Sequence, residues 1–370
     1  MAVPFFTGVR EYQRKKGLFD KAMEEVLLRG DYILGRDVSA LEEEVEAYLD
    51  VPYAVGLASG SDALLLGLHA LGVGPGDEVI TSPFTFFASV SAITRLGAVP
   101  VFADIDPETF NLDPVRAAEK ISPKTKAILP VHLFTQTAEM GPLLSLAEQN
   151  GLALLEDAAE AFGMSYRSRK AGTLGDIGIF SFYPTKTLGA YGDAGMAVTH
   201  SEELAQRLRS LRRHGESRRY FHSEVGYNSR LDTLQAAVLR VKLQTIDEDI
   251  QARAAIASSY NTGLNNIQEI RLPVIKPECD PVYYVYSLIT SYRDDLKSYL
   301  DEKEIGNAIY YPLPLHLQEC FSFLGYSEGD FPVAEQTARS ILALPIFPDM
   351  TGEETEAVIE AIRTFFNTLG

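Results

Sequence analysis

Cysteine is scarce: the 370 residues hold only Cys279 and Cys320. That excludes a disulfide framework and a CxxC metal knuckle, and makes a reducing, cytosolic compartment the expectation. Positive charge is short as well, with 33 Lys and Arg against 51 Asp and Glu and a net charge of −18. Such a balance disfavours nucleic acid, whose phosphates call for a basic face, and equally an anionic membrane surface. Long apolar runs are missing, since no stretch approaches the ~18 residues of a bilayer-spanning helix. Met1–Thr7 lacks the charged start and apolar run of a secretory signal. The six histidines never reach the i, i+4 spacing of a zinc helix, so no metal site is expected. There is no GxxxxGK[ST] loop, and the glycines Gly72, Gly74 and Gly76 precede a strand instead of following one, which reads as a turn and not a dinucleotide loop.

What is present is ordinary globular composition, 46% hydrophobic and 23% charged, in a chain longer than one average domain and shorter than three. Residues 1–50 read as two helices separated by the Gly30–Gly35 break. Short apolar runs then alternate with helical patterns. The expected strands are Tyr53–Leu57, Glu78–Thr81, Val99–Ala103, Ala127–Val131, Ala153–Leu155, Ile177–Phe182 and Gly195–Thr199. Helices are expected at Ser61–Leu71, Phe86–Leu96, Pro142–Asn150 and Glu202–Arg213. This pattern predicts an α/β domain around a mostly parallel sheet, over residues 1–248 with the N-terminal helices included. A long helix near Leu231–Thr245 leads out of it. Residues 249–370 change texture, with Tyr283–Tyr286 as a strand and several prolines, and predict a smaller α+β domain.

Three clusters carry chemistry. Ser59-Gly60-Ser61-Asp62 follows a strand and opens a helix, where free N–H groups and hydroxyls suit a phosphate, although the same residues serve as an ordinary N-cap. Glu156-Asp157-Ala158-Ala159-Glu160 stands at the carboxyl end of an apolar strand, where α/β proteins place their ligands; Asp157 reads there as a functional carboxylate or as a helix cap. Ser181–Gly189 lies past another strand and holds Lys186 among aromatic and small residues, where desolvation is expected to depress the amine pKa and make it nucleophilic. Phosphate cradle, strand-end aspartate and activated lysine are together the three contacts that pyridoxal 5′-phosphate needs.

Beside these clusters stand Gly30–Gly35, Gly74–Ile80, Pro130–Leu133, Arg213-His214-Gly215, Gly226–Asp232, Tyr310–His316 and Leu344–Pro348. With them, over nearly its whole length, the chain resembles the DegT-type nucleotide-sugar aminotransferases, a branch of the fold-type-I pyridoxal-phosphate enzymes. The resemblance implies that Lys186 forms the Schiff base and Asp157 partners the pyridine nitrogen. It implies that Phe86 stacks on the ring and that Gly60, Ser61 and Ser181 bind the phosphate. Asn228 would reach the phosphate of a neighbouring subunit in a homodimer with shared sites. Glu160 stands where relatives commonly carry Gln or His against the phenolic oxygen, and a carboxylate there is repulsive unless protonated or turned away. Thr135 replaces a common glycine. Arg230, Tyr310 and Tyr311 would hold substrate oxygens.

The activity so implied is transfer of an amino group from glutamate to a nucleotide-linked keto-sugar. Ser229, where C4-specific relatives more often carry an aromatic, leans the reading toward C3 by leaving room for the hexose. Tyr310, histidine in some uronate-using relatives, leans it away from a uronic acid. Amination at C4, a sugar dehydratase and a non-catalytic regulator are the alternatives; relatives that dehydrate replace the lysine with histidine. The six arginines between Arg207 and Arg219 form either a solvated helix face or a clamp for a nucleotide diphosphate.

Overall fold

The computed structural model describes residues 1–369. At its centre is a seven-stranded sheet of β1 (Tyr53–Leu57), β2 (Glu78–Thr81), β3 (Val99–Phe102), β4 (Thr125–Leu129), β5 (Ala153–Asp157), β6 (Ile177–Ser181) and β7 (Gly195–Thr199). Their order across the sheet is β1-β7-β6-β5-β4-β2-β3. Six strands run one way. Only β7, paired antiparallel with both β1 and β6, opposes them. The strands are apolar because helices cover both faces, as a parallel sheet requires. Each expected strand of this sheet is present, with ends moved by no more than two residues.

Helices α1 (Val9–Arg29) and α2 (Arg36–Leu49) flank the break at Gly30, whose φ of +73° ends α1 in a left-handed cap that glycine adopts without strain. Helix α3 (Gly60–Ala70) follows β1 directly and lies on the sheet through Leu64, Leu65 and Leu68. Helix α4 (Phe87–Arg95) follows β2. Among the described residues no helix is long and apolar enough to cross a membrane.

The C-terminal part is built on a three-stranded antiparallel sheet of Ile270–Arg271, Tyr286–Thr290 and Ile341–Leu344, covered by Ile246–Leu264 and Gly352–Asn367. The strand expected at Tyr283–Tyr286 begins where that expectation ends. Tyr283 has φ +48°, which breaks the extended run, and the ladder starts at Tyr286. The carbonyls of Tyr283 and Tyr284 are instead drawn to the buried Arg253 guanidinium, at 3.3 and 3.4 Å. The helix expected at 231–245 spans Thr233–Leu243, and the 248/249 boundary falls in the first turn of Ile246–Leu264. The N-terminus reaches the C-terminal part: Val3 bridges Ile305, and Phe5 meets Tyr310 edge-on.

Candidate active site

The carboxyl ends of β5 and β6 lie side by side, because Asp157 pairs with Ile179 in the parallel register. That register brings the second and third sequence clusters together. Glu156, the penultimate residue of β5, is fully buried and acts as a brace. Its carboxylate accepts N–H groups from Gly172, Leu174 and Gly175 at 2.6–2.9 Å. It also bonds His132 at 2.8 Å through Nε2, which carries the proton because Nδ1 accepts from the Ala138 N–H. A buried carboxylate so fully bonded holds the strand end rigid.

Asp157 next to it is buried and held by two donors, the Ser89 hydroxyl at 2.7 Å on Oδ2 and the Ala159 N–H at 3.2 Å on Oδ1. Burial pushes its carboxyl up, while Ser89, Ala159 and Lys186 pull the other way without cancelling the effect. No cation among the described residues lies within salt-bridge distance of it, so a protonated ring nitrogen would supply the charge it lacks.

Lys186 stands on the tight loop after β6, its N–H donating to the Tyr183 carbonyl at 2.8 Å. Its side chain is 14% exposed and its Nζ lies 3.3 Å from Glu160 Oε1. Glu160 is fixed in turn by the Phe134 N–H, which donates to Oε2 at 2.9 Å. The Tyr284 ring lies under the ammonium, 4.2 Å from centroid to Nζ, with its hydroxyl 3.1 Å from Thr185 Oγ1. The expected depression of the lysine pKa is corrected here. Burial does lower it, but Glu160, with Tyr284 and Asp157 nearby, outweighs burial and the pKa is raised. The sequence suggested desolvation and could not show a carboxylate at contact distance.

The phosphate end of the site fits equally well. Ser59 caps α3 by accepting the Asp62 N–H at 3.1 Å, which leaves the N–H groups of Gly60 and Ser61 at the helix terminus free of helical partners. Ser181 packs against Gly60 so closely that a Cβ there would stand 2.6 Å from the Ser181 Cβ. Free N–H groups, two serine hydroxyls and a helix N-terminus would hold a phosphate dianion; Lys186 and Asp157 would meet the two ends of the ring. The residues present fit pyridoxal 5′-phosphate.

Around the lysine, Tyr310 and Tyr311 are half-buried. Burial, with Tyr284 and Glu160 nearby, pushes the Tyr310 phenol up to about 12, and burial with Glu160 pushes Tyr311 well above its usual value. Phe86 is 58% exposed just ahead of α4, its ring 6.2 Å from that of Tyr311. Thr135 is buried.

Asn228 and Arg230 lie apart from the lysine, lining an open cavity of about 530 Å³ with Ser59, Asp193, Asp232 and Gln235. Asn228 is exposed, and the Arg230 Nε is buried without a partner. Ser229 between them is fully buried, its hydroxyl 3.4 Å from the Ala58 N–H. The arginine stretch divides. Arg207 and Arg209 reach the carbonyls of Ala70 and Ala54, Arg212 is buried on Glu42 and the Gly56 carbonyl, and Arg213 pairs with Glu216. Among the described residues Arg209 and, on the exposed hairpin, Arg218 and Arg219 have no carboxylate partner.

The sequence reading missed Ser89 and Tyr284. Ser89 follows Phe86 by three residues, one helical turn, which was a usable signal. Tyr284 lay inside a run read as a strand.

A family model for the DegT/DnrJ/EryC1/StrS aminotransferase family matches residues 13–363. A pleiotropic regulatory protein of Geobacillus stearothermophilus is 44% identical over 99% of both chains. The dTDP-3-amino-3,4,6-trideoxy-alpha-D-glucose transaminase of Streptomyces venezuelae is 42% identical over 98% of this chain and 95% of its own. The crystal structure of S. venezuelae DesV in complex with a ketimine intermediate superposes with a TM-score of 0.97 at 42% identity, covering 99% of this chain and 98% of that one. With a matching fold, a lysine and aspartate at adjoining strand ends and a phosphate cradle beside them, the chain belongs to the DegT/DnrJ/EryC1/StrS aminotransferase family and is a pyridoxal-phosphate-dependent aminotransferase.

Proposed function

We propose that this aminotransferase takes an amino group from glutamate and delivers it to C3 of a nucleotide-linked 3-keto hexose, working in the cytoplasm as a homodimer with shared sites. The observation that carries the reading is the Lys186–Glu160–Asp157 cluster, an amine and two carboxylates gathered beside a phosphate cradle. Support for a sugar acceptor comes from the full-length similarity to a transaminase whose name specifies a 3-amino sugar. The bound cofactor supplies an electron sink and carries nitrogen between donor and acceptor.

The chain's own residues do the rest. Lys186 Nζ moves the proton between the substrate carbon and the cofactor as general acid and base. Asp157 keeps a proton on the pyridine nitrogen, and Ser89 and Ala159 keep Asp157 aimed. Gly60, Ser61 and Ser181 hold the phosphate, with Asn228 of one subunit completing the cradle of the other. Phe86 covers the ring face, and Tyr311 with Arg230 takes substrate oxygens, Tyr310 beside them.

A second reading, a regulator on the same scaffold, has one observation in its favour, the regulatory name of the 44% identical relative. A dehydratase is opposed by the presence of Lys186.

The test is to amino-load the enzyme with glutamate, then offer 3-keto and 4-keto nucleotide hexoses in competition and read the product's amine position by NMR. Amination at C3 is expected. A product aminated only at C4 overturns the regiochemistry and leaves the aminotransferase intact; failure of glutamate to load the enzyme overturns the donor.

A further inference from the structure

Glu160 is held at both oxygens and cannot swing away: Oε2 takes the Phe134 N–H at 2.9 Å, and Oε1 faces Lys186 Nζ at 3.3 Å. Its side chain is 7% exposed, so water does little to screen the pair. Among the described residues it is the one carboxylate within 4.0 Å of that nitrogen. Asp157 at the end of β5 acts on Lys186 from farther off, and the phenols of Tyr284 and Tyr310 face it from the C-terminal part. On its other side Lys186 borders a small cavity holding Glu11, Lys242, Asp249 and Arg253. Those charges are largely spent on each other and on the backbone. Glu11 pairs with Lys242 at 2.7 Å, Asp249 lies 3.5 Å from Arg14 and 3.7 Å from Lys15, and Arg14 also holds Asp349. Arg253 donates to the Ile346 carbonyl at 2.7 Å.

We propose that Glu160 is the residue that keeps a proton on the Lys186 nitrogen, both while the lysine is free and after it is bonded to the cofactor. When the ammonium takes up the cofactor it first sheds a proton, and its lone pair then bonds to the aldehyde carbon. Of the ammonium's three protons, that one and a second would end in the water formed with the aldehyde oxygen and the third would stay on the nitrogen, so its charge is the same before and after. A fixed carboxylate stabilises both of those charged forms and disfavours only the neutral amine between them. An amide in its place would carry no charge and would favour neither. The same geometry answers the repulsion expected between Glu160 and the cofactor's phenolic oxygen, because the carboxylate is neutralised by the lysine and held on it.

This inference rests on Lys186 being the cofactor lysine, and not on the identity of donor or sugar. It is tested first on the cofactor-free, full-length protein by competitive acylation with acetic anhydride across pH, with Lys186 and the exposed Lys124 read from their peptides. Lys186 should become reactive at a higher pH than Lys124. Glu160→Gln, which keeps the size and one acceptor oxygen, should lower the Lys186 midpoint by at least about one unit, so that the lysine acylates about tenfold faster near neutrality. In the loaded protein the pH at which the bound cofactor's visible absorbance changes should fall in the same variant. A wild-type Lys186 midpoint at or below that of Lys124, or equal midpoints in wild type and variant, overturns the proposal. The wild-type comparison decides the matter even if Glu160→Gln fails to fold. A covalent cofactor band surviving in Lys186→Ala would instead overturn the lysine assignment itself.

Discussion

Two regions border the N-terminus of α3, and they differ in completeness. On one side, where Ser181 packs on Gly60, the lysine cluster is finished within the chain: Lys186 has Glu160 and Tyr284, Glu160 has the Phe134 N–H, and Asp157 has Ser89 and Ala159. On the other side, where Ser59 lines the cavity, Asn228 is exposed and the Arg230 Nε is buried with no acceptor. Buried polar atoms in native proteins almost always find partners. The contrast accords with the proposal that one chain assembles the lysine cluster while the cavity takes a second molecule, substrate or neighbouring subunit, although Thr187 Oγ1 on the lysine loop is also buried without a partner.

The comparison breaks first, and hardest, at Lys186. Lys186→Ala should keep the fold, which circular dichroism would show, yet lose covalent cofactor and turnover entirely. Residual turnover at the wild-type rate would remove the centre from the lysine cluster. Asp157→Asn comes next. Without the carboxylate the ring nitrogen deprotonates, and turnover should fall by several orders of magnitude, on the order of 4 kcal/mol in barrier or more, as single-turnover kinetics would record. Near-normal rates with cofactor bound would sink that role.

The incomplete region is tested by mixing. Lys186→Ala and Asn228→Ala proteins should each be impaired alone, and subunit exchange should restore part of the activity, because one hybrid site recovers both groups. No recovery, with exchange demonstrated, would leave the cavity to substrate alone. The smallest effect is expected at Ser89. Ser89→Ala removes one hydrogen bond to a charged acceptor, worth about 1.5–3 kcal/mol, and should weaken cofactor retention by roughly ten- to a hundredfold. An unchanged dissociation rate would mean that Asp157 is aimed by the backbone alone.

The finished region was legible in outline and the incomplete one in part. Lys186, Asp157 and the serine–glycine turn stood at ends of apolar runs, so their clustering followed from the strand-end rule, and β1 to β7 followed from alternation of apolar runs with helices. The sign of the lysine's pKa shift did not follow, since it turns on whether a carboxylate lies at 3.3 Å or much farther away. Ser229 shows the same limit. Its size was read as space for a sugar, and the sequence could not show that the side chain is fully buried against Ala58. The arginine stretch, a single feature along the chain, is sorted by tertiary contacts: Arg207, Arg209 and Arg212 are drawn onto distant backbone or carboxylate groups, while Arg213, Arg218 and Arg219 stay on the exposed surface.

By itself, then, the sequence determined the α/β sheet, the turn chemistry around Gly30 and Gly60, and the identity of the groups available for chemistry. Those depend on local periodicity and on residue type, which the linear order states directly. Tertiary structure alone decided that Glu160 rather than Asp157 touches Lys186, that Tyr284 comes from the C-terminal part to lie under it, and that Arg230 is left without a partner. Each of these depends on distances between residues far apart in the chain, and electrostatic and hydrogen-bond energies change steeply over the few ångströms that local pattern leaves undetermined.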